Sequence, residues 1–359
     1  MRGGGRSFGL GDASPRWWGV LAFLALGTVG LYGSSAREGA PERLVLEGPT
    51  MGTTYRVTVR ASESGGALPA REVLLGVVER ELGRVVALMS TYDAGSEISR
   101  FNASPDSAPF RVSPETRAVL EIALEVGRRS GGAFDITVGP LVELWGFGRT
   151  PEPTELPGAE LVATTLEAVG ADRLRLGPEG LTKDHPRTQV DLSAVAKGYA
   201  VDRVADALER IGVGDFLVEV GGELRGRGER TPGEPFRVAV ESPEPGQPVH
   251  GVVALADRAL ATSGNYRNVY VRDGERVVHT LSPRTGRPVA QRLLSASVVH
   301  RSCAWADAWA TALMASGDAA WELAEREGLD AMLLFTGADG SLEERRTAGF
   351  PPFDGGPRS

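Results

Sequence analysis

The chain is poor in several residue types, and each shortage excludes a class of protein. Its 359 residues include one cysteine, Cys303. A lone cysteine excludes an intramolecular disulfide and a metal site built from a cluster of cysteines. Acidic residues outnumber basic ones, 47 to 39, for a formal net charge of −8. This balance argues against broad nucleic-acid binding, which requires a basic surface to displace counterions from phosphates. We therefore expect no nucleic-acid partner.

Several familiar catalytic signatures are also absent. The sequence contains no G-x-x-x-x-G-K-[ST] phosphate loop, no G-x-S-x-G nucleophile elbow and no H-E-x-x-H zinc helix. The four histidines, His185, His250, His279 and His300, are not spaced as a metal cluster. Chemistry in this chain must therefore depend on other residues.

Lysine is the scarcest charged residue, because only Lys183 and Lys197 are lysines among the 39 basic residues. A lysine ammonium is a compact point charge that suits a phosphate, whereas arginine presents a planar fork. Lys183 lies in a predicted loop, and Lys197 follows a predicted strand that runs into a helix. The pattern favours Lys197 as a contact for a phosphate or nucleotide, with an ordinary solvated helix residue as the alternative.

The N-terminal segment has the features of an export signal. Residues 1–16 carry three arginines against one aspartate, and a mostly apolar run follows from Trp17 to Tyr32. This run is shorter than the ~20 residues of a comfortable membrane span and is near the length of a signal-peptide core. Ser34-Ser35-Ala36 offers small residues for cleavage. We expect residues 1–36 to be a signal peptide or short membrane anchor. The protein would then be extracytoplasmic, exported or anchored to the inner (cytoplasmic) membrane and facing the periplasm.

Residues 37–345 are predicted to form an α+β domain with antiparallel sheets and paired helices, because short alternating segments outnumber helical ones. The predicted strands are Arg43–Glu47, Thr53–Arg60, Arg173–Leu176, Gln189–Leu192, Phe216–Val220, Phe236–Glu241, Gly251–Ala256, Tyr266–Arg272, Arg276–Leu281 and Ser295–His300. The predicted helices are Pro69–Ser90, Ser113–Arg129, Val195–Ile211, Cys303–Ala315 and Asp318–Glu327. A Pro- and Glu-rich segment, 150–158, is a candidate boundary between two lobes. Residues 346–359, rich in Gly and Pro, are predicted to be a flexible tail.

Three residues in the second half suggest chemistry. Asp307 and Thr311 are four residues apart in a predicted helix, so their oxygens share one face and suit a hard cation such as Mg²⁺. Taken alone, such a pair is more often a helix cap or a back-bonded threonine. His279 lies near strand ends rich in hydroxyls and is a candidate general base, with a satisfied sheet residue as the alternative.

Eight short motifs occur in a fixed order along the chain. They are Thr50-Met51-Gly52-Thr53; Met89-Ser90-Thr91-Tyr92 with Ser99-Arg100-Phe101-Asn102; Gly132-Ala133-Phe134-Asp135; Val190-Asp191-Leu192-Ser193 through Lys197-Gly198-Tyr199; Val220-Gly221-Gly222-Glu223; Thr262-Ser263-Gly264; Pro283-Arg284-Thr285-Gly286; and Asp307-x-x-x-Thr311. In this combination and order the chain resembles the ApbE-type FAD:protein FMN transferases, from Leu44 to Gly337.

The resemblance implies a T-fold-like α+β core and one reaction. Enzymes of this family cleave FAD at its pyrophosphate, attach the FMN part by a phosphoester to a Thr or Ser of a target protein, and release AMP. By motif position, Mg²⁺, replaceable by Ca²⁺ or Mn²⁺, is bound by Asp307, the Thr311 hydroxyl and the backbone carbonyl of Ala194. The positions that match family FAD contacts are Met51, Tyr92, Ala133, Phe134, Asp135, Asp191, Lys197 and Leu281. His279 matches a family histidine, and it and Asp307 are the expected catalytic residues.

Elementary chemistry agrees with these implied roles. Cleavage of a pyrophosphate concentrates negative charge on its oxygens, and Mg²⁺ together with Lys197 would counter that charge. Tyr92 and Phe134 would offer ring faces to the isoalloxazine or adenine. His279 would take the proton from the target hydroxyl.

The resemblance also implies partners, namely FAD and target flavoprotein subunits of membrane electron-transport complexes, of Nqr/Rnf type or other FMN-binding domains. The chain departs from the family pattern at Ser282, where Asp is usual, and in lacking a lipobox cysteine. Three alternatives stay open. They are an FAD pyrophosphatase that uses water as the acceptor, a non-catalytic extracytoplasmic flavin-binding protein, and a structural exported protein.

Overall fold

The computed structural model describes residues 43–354, apart from 62–66, 106, 245, 267 and 290–291. The described residues belong to one compact unit. The predicted signal peptide or anchor, 1–36, lies outside the described residues, as do residues 355–359 of the predicted tail. None of the helices in the described part of the chain is long and apolar enough to cross a membrane.

The described residues include fifteen strands and eight α-helices. The strands are β1 Arg43–Thr50, β2 Thr53–Arg60, β3 Leu174–Gly177, β4 Gly180–Lys183, β5 Asp215–Val220, β6 Glu223–Arg227, β7 Glu229–Thr231, β8 Glu234–Glu241, β9 Val249–Leu255, β10 Ala259–Gly264, β11 Val269–Arg272, β12 Glu275–Val278, β13 Leu293–His300, β14 Asp330–Thr336 and β15 Leu342–Arg346. The helices are α1 Arg71–Met89, α2 Glu97–Ala103, α3 Pro114–Arg129, α4 Gly139–Leu144, α5 Ala159–Leu166, α6 Ser193–Arg210, α7 Cys303–Ser316 and α8 Ala320–Glu327. This mixture confirms the predicted α+β class.

An eight-stranded sheet forms the centre of the fold. Its order is β1-β2-β5-β6-β10-β13-β14-β15, and every neighbouring pair is antiparallel. Successive residues of a strand point to opposite faces. In β14, Leu333 accordingly packs in the cluster that contains the helices, whereas Leu334 packs against residues of β8 and β9. Helices therefore cover one face, and the small sheet β7-β8-β9 covers part of the other.

Helices α6 and α7 pack directly against each other on the helical face. At Gly198 in α6, a Cβ atom would lie 2.3 Å from the Cys303 carbonyl oxygen and 2.8 Å from the Asp307 Cβ. Only glycine permits backbones to approach this closely. The crossing brings the start of α6 beside the middle of α7.

One predicted strand is absent, and several elements were not predicted. Residues 189–192 belong to no strand. The Asn102 side chain takes the backbone bonds of Val190 instead: its Oδ1 accepts from Val190 N at 2.7 Å and its Nδ2 donates to Val190 O at 2.8 Å. The elements without a sequence prediction include α2, α4, α5, β6, β10, β14 and β15.

The prediction of a flexible tail over 346–359 is wrong for its described part. Phe350 is 5% exposed and packs against the small sheet. The Asp354 backbone N–H donates to the Val252 carbonyl in β9 at 2.7 Å. Phe350 is buried and Phe353 is half-buried, and their packing holds this segment against the small sheet despite its Gly and Pro content.

The Pro- and Glu-rich segment 150–158 lies in a loop between α4 and α5. Leu141 before it and Val162 after it belong to the same hydrophobic cluster. Residues on both sides of this loop therefore pack together.

Candidate active site

The Asp307 carboxylate lies at the crossing of α6 and α7. It is 2% exposed, and its Oδ2 accepts from the Gly198 backbone N–H at 2.9 Å. In an α-helix the N–H of residue 198 points towards the carbonyl of residue 194. The Asp307 carboxylate therefore lies beside the Ala194 carbonyl, and burial raises the pKa of its carboxyl group.

Thr311 lies one turn after Asp307 on the same face of α7. Its hydroxyl is 3.1 Å from the Ser263 hydroxyl at the end of β10. A carboxylate, a hydroxyl and a carbonyl are hard oxygen donors, so the three predicted ligands fit Mg²⁺ with room for water and substrate phosphate. No cluster of three or more His, Cys, Asp or Glu suited to a metal occurs among the described residues. The predicted set contains only one carboxylate.

The Lys197 ammonium is held beside this carboxylate. Its Nζ donates to Glu223 Oε1 at 2.5 Å, and the Glu223 side chain is 3% exposed. Burial acts to lower the pKa of Lys197, but the nearby carboxylates of Glu223 and Asp307 outweigh it and raise the pKa overall. Burial acts to raise the pKa of Glu223, the Lys197 ammonium opposes this rise, and the Asp307 charge adds to it. Lys197 therefore stays positively charged at neutral pH.

His279 follows β12 and is within electrostatic reach of Lys197. Burial lowers the pKa of its imidazole, and the positive charge of Lys197 lowers it further. Its Nδ1 is buried without a hydrogen-bond partner among the described residues, and its ring meets Phe147 edge-on, with centroids 6.2 Å apart. A neutral imidazole at pH 7 has the protonation state that a general base needs.

The two aromatic rings that were expected to stack on FAD, those of Tyr92 and Phe134, differ in how much of each ring is exposed. Tyr92 is 66% exposed, so its ring is available for stacking. Partial burial and the charge of Asp191 raise the pKa of its hydroxyl, which places it near Asp191. Phe134 is 3% exposed and packs in the main core, so its ring offers little surface for stacking. Its contact with FAD stays a prediction.

Asp135 and Asp191 hold the backbone around the site. The Asp135 carboxylate accepts from Thr137 N at 2.7 Å and from Ala171 N at 2.8 Å, and burial raises its pKa. Asp191 Oδ1 accepts from Ser193 N at 2.8 Å at the start of α6. The Asp191 N–H donates to the Ile136 carbonyl at 2.7 Å, which joins the two predicted FAD-contact segments.

Met51 lies in the two-residue turn between β1 and β2. Both turn residues have left-handed backbone, with φ of 49° at Met51 and 73° at Gly52. This conformation matches the twist of a hairpin but is strained for a non-glycine residue. The Gly221 N–H donates to the Thr54 carbonyl at 3.0 Å, so the turn lies next to the β5–β6 turn that carries Glu223.

Ala133 and Leu281 are the remaining predicted FAD contacts. Ala133 and Ser282 line a cavity of about 540 Å³, and Leu281 is 6% exposed and packs in a hydrophobic cluster with Leu141 and Trp145. Asp135 lines a second cavity of about 550 Å³. The Ser282 hydroxyl accepts from the Thr285 N–H at 3.3 Å and so caps the turn where the family usually has Asp.

Sequence reasoning missed three contributors to this arrangement. Glu223 and Ser263 belong to motifs of the sequence but have no predicted role, and they contact Lys197 and Thr311. Lys183, predicted in a loop, ends β4 and is 3% exposed. Its Nζ donates to the carbonyls of Asn102 and Thr188, each at 3.0 Å.

The fold and the site together define an α+β enzyme whose charged, oxygen-rich centre suits a phosphate-bearing substrate. The chain belongs to the ApbE family, whose model matches residues 51–333. This confirms the resemblance to the ApbE-type proteins and the ApbE-like fold.

Individual relatives agree over most of the chain. A protein of Vibrio cholerae serotype O1 named FAD:protein FMN transferase is 39% identical over 313 residues, which cover 87% of this chain and 93% of the relative. The protein of the same name from Escherichia coli K12 is 38% identical over 300 residues, covering 82% and 84%. The solved flavin transferase ApbE of Vibrio cholerae has a TM-score of 0.80 at 38% identity, covering 88% of this chain and all of that structure. The apo flavinyl transferase ApbE of Pseudomonas stutzeri has a TM-score of 0.77 at 37% identity, covering 86% and 96%.

Proposed function

We propose that this chain is a Mg²⁺-dependent FAD:protein FMN transferase. The supporting observation is that Lys197 and Asp307 lie together at the crossing of α6 and α7, with His279 within electrostatic reach of Lys197, in a chain whose relatives carry that name. In the proposed reaction, the hydroxyl oxygen of a target Thr or Ser forms a bond to the FMN phosphorus. The bond from that phosphorus to the bridging oxygen breaks, and AMP leaves with the bridging oxygen.

The residues of the site have distinct tasks in this reaction. His279, neutral at pH 7, takes the proton from the attacking hydroxyl. Lys197 carries a positive charge that offsets the charge developing on the phosphate oxygens. The exposed ring of Tyr92 binds one of the flat ends of FAD.

The Asp307 carboxylate, the Thr311 hydroxyl and the Ala194 carbonyl are the proposed Mg²⁺ ligands, and Ca²⁺ and Mn²⁺ share their preference for oxygen. When bound, the cation supplies positive charge that polarises the pyrophosphate. Asp307 is oriented for this task by the Gly198 N–H, and Thr311 by Ser263. These contacts keep the donor oxygens in place without the cation.

We also propose an extracytoplasmic location and membrane-bound partners. The support is the basic and apolar sequence of residues 1–36, together with the implied acceptors, flavoprotein subunits of Nqr/Rnf-type complexes or other FMN-binding domains. Expression of the full chain with a C-terminal reporter that is active only outside the cytoplasm tests the location. A reporter active only in the cytoplasm would contradict export.

The activity is tested by incubating the full chain with FAD, Mg²⁺ and an FMN-binding domain that carries a Thr or Ser acceptor. Flavin fluorescence that stays with the acceptor on a denaturing gel, together with AMP release, supports the transferase. AMP release without labelled acceptor indicates the pyrophosphatase, and bound FAD with neither signal indicates a binding protein.

Two variants assign the chemistry. His279→Gln and Asp307→Asn should each lower the rate of AMP release about 100-fold or more, because each removes a reacting or charge-bearing group. His185→Gln is the matched control, since His185 lies in a surface loop and its ring Nδ1 accepts a local bond from the Arg187 N–H at 3.2 Å. A His279→Gln protein with full activity would remove His279 from the mechanism.

A further inference from the structure

The hairpin between β5 and β6 carries a motif whose function the proposed reaction does not use. It comprises Gly221 and Gly222, with φ of 59° and 104°, followed by Glu223 at the start of β6. The Gly222 N–H donates to Glu219 Oε1 at 2.9 Å, which closes the turn. Backbone of this kind requires glycine. The turn therefore places Glu223 on the helical face of the sheet, towards α6.

Glu223 and Lys197 form an unusually enclosed pair. Nζ and Oε1 are 2.5 Å apart, and 26 residues of sequence separate the partners. The Glu223 side chain is 3% exposed and that of Lys197 is 30% exposed, so the carboxylate lies behind the ammonium and away from solvent. A charge-assisted bond in such surroundings is much less screened than a surface pair.

The same hairpin also packs against the stem of the lysine. A Cβ atom at Gly221 would lie 3.4 Å from Lys197 Cδ and 2.8 Å from Thr53 Cγ2. The lysine is thus bounded along its methylenes by the turn and held at its tip by Glu223. A free lysine has four rotatable bonds and would lose much rotamer entropy on being ordered by substrate.

The position of Glu223 also has an energetic cost that a residue serving only stability would not be expected to carry. Its second oxygen, Oε2, is buried and has no hydrogen-bond partner among the described residues. Asp307 lies close enough to raise the pKa of Glu223 further. A buried carboxylate near a second carboxylate costs stability, so its presence calls for a compensating use.

We propose that Glu223 is a positioning residue that holds the Lys197 ammonium in place for the pyrophosphate of FAD. This role rests on the function proposed above, and it acts entirely through Lys197. Glu223 does not touch the substrate. It limits the ammonium to the position where charge develops, so that no reorganisation is needed during the reaction.

A double-mutant cycle tests whether the effect passes through Lys197. Glu223→Gln keeps the size of the side chain but removes its charge, and it should lower kcat for AMP release about 10- to 100-fold with a smaller change in the KM for FAD. On a Lys197→Ala background the same change should cost about 2-fold or less, because the group it positions is gone. Glu223→Asp keeps the charge and should recover part of the rate.

Nuclear magnetic resonance of the lysines tests the positioning without any turnover. The chain has two lysines, so selective ¹³C-lysine labelling yields one signal set for Lys197 and one for Lys183. In the Glu223→Gln protein the Lys197 Cε signal should narrow and move towards that of a free lysine. The Lys183 signal is the internal control and should stay in place, since its Nζ bonds to the carbonyls of Asn102 and Thr188.

A matched variant on the same hairpin is Glu219→Gln. Its amide oxygen can still accept from the Gly222 N–H, so the turn is kept and both the Lys197 signal and kcat should stay within about 2-fold of wild type. Equal losses from Glu223→Gln with and without Lys197, or an unchanged Lys197 signal, would overturn the positioning role. A wild-type protein that does not cleave FAD would overturn the proposed function instead, and the positioning role with it, while the Lys197 signal would still report the pair.

Discussion

Replacing Gly198 with alanine is expected to force α6 and α7 apart. The new Cβ atom would lie 2.3 Å from the Cys303 carbonyl oxygen and 2.8 Å from the Asp307 Cβ. Non-bonded heavy atoms are normally about 3.5 Å apart, so the helices must separate by roughly 1 Å. The nearer obstacle is backbone and cannot rotate away. We therefore expect an overpacking cost near the top of the usual range, about 3 kcal/mol, which the gain in helix propensity from alanine offsets in part.

Gly83 provides a matched control for this substitution. It lies inside α1, and a Cβ atom there would meet nothing within 4 Å. Gly83→Ala should stabilise the protein by about 0.5–1 kcal/mol, a gain in helix propensity that both substitutions share. The free energies of unfolding of the two variants should therefore differ by about 3 kcal/mol, which is the overpacking contribution alone.

Urea unfolding at constant pH measures this difference. The same helix separation should draw Asp307 away from the Gly198 N–H, so Gly198→Ala should also bind Mn²⁺ more weakly in a calorimetric titration. Gly83→Ala should bind it as the unmodified chain does. If Gly198→Ala proved as stable as Gly83→Ala, the inferred close approach of the two helices would be refuted.

Three further predictions concern single side chains. Tyr92→Ala should weaken FAD binding about 10-fold and Tyr92→Phe about 2-fold or less, measured by quenching of flavin fluorescence, if the exposed ring stacks on FAD. The folded-state pKa of His279 is lowered by burial, so its contribution to stability is present above the unfolded pKa of about 6.5 and is lost as pH falls below it. In the unmodified chain the free energy of unfolding should therefore fall as the pH drops below about 6.5, and His279→Gln should make this fall less steep. An unchanged slope would show that the pKa of His279 is not lowered in the folded protein. Phe350→Ala should cost about 3 kcal/mol in urea unfolding without altering FAD turnover, because Phe350 packs on the face of the sheet opposite the helices.

Local sequence patterns are sufficient to predict a structural feature when the residues that form it are close together in the sequence. Asp307 and Thr311 share a face because a helix repeats every 3.6 residues, and that spacing is visible in the sequence. The start of α3 was equally clear, because Ser113 precedes Pro114 and its hydroxyl accepts from Thr116 N at 3.2 Å. Both features depend on contacts within a single turn.

The pairs that complete the site depend on the register of the sheet. Glu223 meets Lys197 across 26 residues and Ser263 meets Thr311 across 48, so neither contact follows from local spacing. Phe134 shows the converse limit. A phenylalanine in a glycine-rich loop suits a ligand platform and a core equally well, and only the packed structure places its ring in the core.

The C-terminal segment that packs against the small sheet, from Phe350 to Asp354, affects how molecules of this protein associate. β9 is an outer strand of the small sheet, and an open outer strand offers unpaired N–H and C=O groups to another chain. The pairing of Phe353 with Val253, together with the Asp354 bond to Val252, occupies part of that strand. The segment therefore hinders pairing of β9 with a strand of another molecule. A chain shortened to end before Phe350 would be expected to aggregate during purification, even though nothing near Asp307 had changed.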